Sequence, residues 1–177
     1  TSSYYSLDPR DDIKSIYDEA ADGSDFRWSA YFTTVELGGT ERLRLSKLTD
    51  VYELRGAVSS RPAERILGIN MIRMPEMYYI CSEALLETDY DKALTYFDDV
   101  LVSRGLEPLA NRTSNNTLTQ DLINLERYKE FVGEGQTFFN MKRQNLPILS
   151  HDGKTTYQPS SGIYAIPLPD AEKENRN

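Results

Sequence analysis

One cysteine and one histidine are all that the 177 residues supply. The lone Cys81 excludes an intramolecular disulfide and a thiolate metal cage, and it leaves the redox compartment open. With His151 alone in the loop SHDGKTT, neither a histidine-based metal site nor a serine or cysteine triad assembles within the chain. Long apolar runs are missing too, since none approaches the roughly 18 residues of a membrane span. Basic charge is scarce: 20 Lys and Arg stand against 28 Asp and Glu, and the formal net charge is -8. No basic stripe is present, so no nucleic-acid partner is expected. The chain opens on Thr1 with no methionine or signal peptide, which reads as a processed product or a piece of a longer protein.

What is present suits one folded domain. The chain is 39% hydrophobic, carries 12 tyrosines and 6 phenylalanines, and is 27% charged, which gives it material for a core and for a solvated surface. LDPRDDIKSIYDEA places Asp8 as an N-cap, Pro9 at the first helical position and Ile13, Ile16, Tyr17 and Ala20 on one face of a helix to about Ala21. From Asp22 to Gly68 neither period lasts; SDFRWSAYFTT reads as extended and LGGT as a turn. Residues 1–69 are therefore expected to be an irregular, loop-rich, ligand-facing region with one short helix.

Residues 70–177 are expected to be a helical region of the same domain. In MIRMPEMYYICSEALLE, Met74, Met77, Tyr78, Cys81, Ala84 and Leu85 recur at three and four and predict a core-facing helix. DKALTYFDDVLVSRG carries a second stripe of Ala93, Leu94, Phe97, Val100 and Leu101, closed by Arg104 and Gly105. Together they form a helical hairpin whose residue types match one tetratricopeptide repeat, with large Met77 and Ile80 and small Cys81 and Ala93. A second copy at the repeat period is absent, so partner helices are degenerate here or belong to a missing segment or another chain. Thr117 and Gln120 form a capping box for a third helix, a fourth runs from about Gln136 to Gln144 after Gly133 and Gly135, and Pro167 and Pro169 impose an extended strap in which Ile163, Ala165 and Ile166 pack.

Candidate chemistry centres on LERYKEFVGEGQTFFNMKR. Glu126, Glu130 and Glu134 are spaced four apart and read either as glycosidase acids or as ion-pairing residues on a solvated helix face. The pairing alternative predicts Arg127 or Arg143 as partners across the glycine turn, with Lys129 at i,i+3 spacing. The GKT of SHDGKTT lacks the phosphate-loop glycine, since Ile148 stands there, and Asp18, Asp22 and Gly23 lack the remaining calcium-loop ligands. No metal or cofactor is expected. Asn111 and Asn115 head two formal glycosylation sequons in ANRTSNNT, which such a composition produces on its own. Trp28, Tyr31 and Phe32 read as an aromatic platform for sugar rings or as core residues.

Taken in order, RMPEMYYICSEALLE, DYDKALTYFDDVLVSRG, LERYKEFVGEGQTFFNMKR and IYAIPLPDAEKEN resemble the C-terminal part of the SusD/RagB family of outer-membrane nutrient-binding lipoproteins. The residues that carry the resemblance are Arg73, Glu76, Tyr78, Glu83 and Ala84, then Arg104 and Gly105, then Glu126, Arg127, Glu130, Glu134 and Gly135, then Arg143, and lastly Tyr164, Ile166, Pro167 and Pro169. Gln136 and Asn140 depart from it, standing where an Arg and an Asp are common. The resemblance implies an all-α fold of tetratricopeptide-like hairpins with long irregular loops and an extended C-terminal strap. It further implies a non-enzymatic, surface-exposed lipoprotein, anchored through an absent N-terminal part, that hands a glycan or peptide to a SusC-like TonB-dependent transporter. Trp28, Tyr31 and Phe32 are the expected ligand contacts, read from the residues and not from the family. A tetratricopeptide-like protein-interaction module and a glycoside hydrolase using Glu126 and Glu130 are the alternatives.

Overall fold

The computed structural model describes residues 9, 12–17, 25–47, 72–150, 152–165 and 169. His151, the acidic cluster at Asp18 and Asp22, and the tail residues Ile166 and Pro167 lie outside them. The chain divides into two compact units, Thr1–Glu134 and Gly135–Asn177.

In the first unit, short helices α1 (Ile13–Tyr17) and α2 (Phe26–Tyr31) precede an antiparallel hairpin of β1 (Phe32–Leu37) and β2 (Thr40–Leu45). The region is thus more regular than the loop-rich expectation, and the fold is mainly helical rather than all-α. Leu37 pairs with Thr40 across a two-residue loop in which Gly38 and Gly39 hold φ of +60° and +77°. Positive φ at both central residues matches the twist of the strands, which is why two glycines make the hairpin. Around it Ile13, Tyr17 and Phe32 form a small core with Trp28, Tyr31, Leu43 and Tyr128 packed against them.

The larger core lies between α3 (Met74–Leu85), α4 (Tyr90–Ser103) and α5 (Gln120–Phe131). Tyr79, Ala93, Phe97, Val100, Leu101, Ile123 and Phe131 are buried there. The α4 stripe is the expected one, and its end is a Schellman cap: Leu106 N donates to Leu101 O at 3.0 Å and Gly105 N to Val102 O at 3.1 Å, with Gly105 at φ +79°. The α3 face is corrected in part: Tyr78 and Leu85 pack against the core as expected, but the methionines do not. Met74, Met77 and Ile80 are exposed, while Tyr79 and Ser82 are buried, and the Ser82 hydroxyl donates to Ala93 O at 2.9 Å. A small hydroxyl residue lets the two backbones approach, so the helix turns that side inward. The cap of α5 is Thr119, whose hydroxyl accepts from Leu122 N at 3.2 Å, two residues beyond the expected Thr117.

The second unit holds α6 (Gln136–Gln144), with the expected bounds, a two-stranded pairing of β3 (Ile148–Leu149) with β4 (Thr156–Tyr157), and α7 (Ser161–Tyr164). Ahead of the two prolines the strap is thus helical over 161–164, with Ala165 extended, and the path expected at Pro167 lies outside the described residues. Its buried residue is Tyr164, whose hydroxyl donates to Leu146 O and whose ring lies 5.6 Å from that of Phe138. Ile163 is half-buried and Ala165 exposed.

Candidate functional site

Helix α5 presents Glu126 and Glu130 inward, 3% and 0% exposed, so the solvated face expected for them is a buried one. Besides Lys129 on α5 itself, their cationic partners come from three other elements. Arg27 of α2 is gripped by its own N-cap, Asp25, through Nε–Oδ1 at 2.8 Å and Nη2–Oδ2 at 2.7 Å, and Nη2 also reaches Glu126 Oε2 at 2.7 Å. Lys129, one turn along α5, gives its ammonium to Glu126 Oε1 at 2.8 Å, the expected i,i+3 pair. Arg104, at the C-cap of α4, makes a fork to Glu130 with Nε–Oε2 and Nη2–Oε1 both at 2.8 Å. Arg73, the N-cap of α3, bonds Glu130 and Glu134 together, and Lys47 after β2 also pairs with Glu134. Glu76 sits in the first turn of α3, where the helix dipole favours an acid.

Lys129 apart, the partners are not those expected. Arg127 lies 3.6 Å from Glu83, and Arg143 donates to Asn140 Oδ1 at 2.8 Å. Neighbours in sequence were the natural candidates, whereas the structure draws every cation but Lys129 from residues 26 to 99 positions away.

The electrostatics oppose acid catalysis at Glu130. Burial alone would push its carboxyl up, but the Arg104 hydrogen bond and the charges of Arg104, Arg73 and Arg27 outweigh that and hold it below the ordinary carboxylate range. A general acid needs the reverse shift. Burial lowers the Lys47 ammonium, an effect that Glu134 opposes, and burial followed by the charge of Glu130 raises the Tyr31 phenol. The Tyr31 hydroxyl donates to Glu130 Oε1 at 3.2 Å, and Lys47 Nζ sits 4.0 Å from the Tyr31 ring centre.

The aromatic trio is brought together beside this network. Trp28 and Phe32 stack with centroids 4.8 Å apart, and Tyr17 meets both at 5.8 Å and 5.5 Å. Phe32 is buried; Trp28 and Tyr31 are half-buried. Sequence reasoning missed a cavity of about 730 Å³ lined by Arg112, Asn115, Asn116, Thr117, Glu126 and Lys129 among others. Its only sequence signal was the polar run ANRTSNNT with one arginine inside it. Among the described residues, no three His, Cys, Asp or Glu side chains converge as a metal site.

The fold is shared with solved structures of the SusD superfamily. A crystal structure of a SusD superfamily protein from Bacteroides thetaiotaomicron VPI-5482 matches 94% of this chain with a TM-score of 0.68 and 26% identity. Another, from Bacteroides vulgatus ATCC 8482, matches 78% with a TM-score of 0.52 and 29% identity. The SusD family model matches residues 14–175, and the chain belongs to that family. It spans 38% and 29% of the lengths of those two proteins. No curated protein matches it.

Proposed function

We infer that this chain is part of a non-catalytic nutrient-binding protein that captures a glycan, or a peptide, at the outer membrane and passes it to a SusC-like TonB-dependent transporter. The family match over residues 14–175 carries this reading. The site chemistry agrees with it, because the motif glutamates are buried and neutralised by arginine and lysine and so serve as structural ties. Among the described residues no helix is long and apolar enough to cross a membrane, and the reading assigns the lipid anchor to a segment outside this chain. Trp28 and Tyr31, backed by Phe32, are the proposed ring-stacking contacts. Glycan-panel binding tests this: Trp28→Ala, checked for retained helicity, is expected to weaken the best glycan by roughly tenfold, as the loss of one aromatic contact does. Unchanged affinity removes the aromatic assignment, and a glycosidic turnover lost in Glu130→Gln would replace binding by hydrolysis.

One observation favours the tetratricopeptide-like interaction reading as a second function. Ile72, Met74, Met77 and Ile80, on or just before α3, are 78%, 65%, 38% and 44% exposed. Ile80→Glu is then expected to abolish capture of a co-expressed transporter while leaving glycan affinity unchanged; capture that persists removes this reading.

A further inference from the structure

The cavity between the 112–117 loop and α5 has the volume of a small-molecule site, roughly 300–1,000 Å³. Its loop wall is anchored. Asp98 accepts from Leu109 N at 2.6 Å and Ala110 N at 3.2 Å, Arg112 Nε and Nη2 donate to Glu107 O at 3.1 Å and 2.9 Å, and the Tyr90 hydroxyl accepts from Leu118 N at 2.8 Å. Asn115, Asn116 and Thr117 are exposed between these anchors and turn amide and hydroxyl groups to the cavity lining.

The helix wall supplies charge. Lys129 is 4% exposed, and among the described residues its ammonium donates one hydrogen bond, to Glu126 Oε1 at 2.8 Å. An ammonium has three protons, so two remain for an acceptor in the cavity. Glu126 itself is shared with Arg27 at 2.7 Å and Arg27 in turn with Asp25, so Asp25, Arg27, Glu126 and Lys129 carry no net charge together and Arg112 supplies the excess positive charge of the lining. This positive spot lies in a chain of net charge -8. Leu122 and Leu125 add apolar area, and none of Trp28, Tyr31 and Phe32 lines the cavity.

We propose that this cavity is a binding site for an acidic saccharide, a uronic acid unit. Its carboxylate meets Lys129 and Arg112, its hydroxyls meet Asn115, Asn116 and Thr117, and its apolar ring face lies on Leu122 and Leu125. The site deepens the nutrient-binding reading and rests on it for the class of ligand.

Calorimetric titration of the 177-residue chain with trigalacturonic acid, galactotriose and acetate tests the site. Trigalacturonic acid is expected to bind roughly tenfold or more tightly than galactotriose, the worth of one charge-assisted contact. Arg112→Gln should remove about that factor and Asn116→Ala roughly fivefold, the worth of one neutral hydrogen bond. Both sit on the loop and spare the buried network, so they remain informative where Lys129→Met fails to fold. Equal binding of galactotriose, or acidic-sugar affinity unchanged in both variants, overturns the cavity assignment and leaves the nutrient-binding reading standing. Acetate binding as tightly as the trisaccharide overturns the saccharide assignment by reducing the site to an anion hole. Binding of no saccharide at all overturns both.

Discussion

Helix α5 joins two assemblies of opposite chemistry. Ile123 and Phe131 enter the apolar cluster with Tyr79, Phe97 and Leu101. Glu126 and Glu130, on the same helix, enter a network with Arg27, Lys129, Arg73 and Arg104. The apolar cluster draws largely on α3 and α4, adjacent elements whose association needs only a short link. The ionic network ties Glu126 to Arg27 across 99 positions and Glu130 to Arg73 across 57. Apolar contact is non-directional and rewards area, so many side chains of the right volume serve. A buried carboxylate tolerates no such freedom, because every cation brought to it is stranded when it goes. The first assembly makes helices stick; the second decides which distant segments meet.

The sharpest way to break this comparison is an isosteric change at its ionic centre. Glu130→Gln keeps volume and one acceptor but leaves Arg104 without its charge partner and Arg73 with Glu134 alone, and an expected loss of about 3–5 kcal/mol in urea unfolding follows. A loss below about 1 kcal/mol would show the network to be no more demanding than surface pairs. The same carboxyl carries a pH signature. Its folded value is depressed below its ordinary 4.5, so in that window the unfolded chain binds more protons. The stability it contributes is present above pH 4.5 and is lost as the pH falls through the lower folded value. Unfolding free energy measured at stepped pH should therefore fall more steeply in the parent chain than in Glu130→Gln over that acid range; parallel curves would remove Glu130 from the account.

The sequence was legible where chemistry is local. The α4 stripe, the Gly105 cap, the bounds of α6 and the Glu126–Lys129 pair all rest on spacings of a few residues. The phase of α3 was not legible, because MPEMYYICSEAL is apolar on almost every side and the deciding residue is Ser82, whose hydroxyl finds a carbonyl on α4. The LGGT turn was legible but the strand after it escaped for a related reason: in TERLRL it is Arg44 that is buried, at 7% exposure, which inverts the usual reading of alternation. The glutamates were legible as pairing residues but not as buried ones, since the cations that make burial tolerable lie far away in sequence. Asn115 and Asn116 drew only the sequon reading, because nothing local says that α5 stands opposite them.

The smallest expected effect sharpens the comparison from the apolar side. Ile123 is fully buried on α5, one turn before Glu126, and Ile123→Val removes a single methylene from that cluster. The expected cost is about 0.5–1.5 kcal/mol, the transfer term plus whatever gap the neighbours fail to close. Because the contact is non-directional, Phe97, Leu122 and their neighbours can settle into part of the space, and the unfolding transition should keep its denaturant slope. Measured beside Glu130→Gln in the same buffer, the ratio of the two losses is the quantity of interest. A ratio of several supports a network that discriminates among segments; a ratio near one means that α5 is held equally by both assemblies, and that the arginine–glutamate ties are dispensable wherever apolar packing of equal volume replaces them.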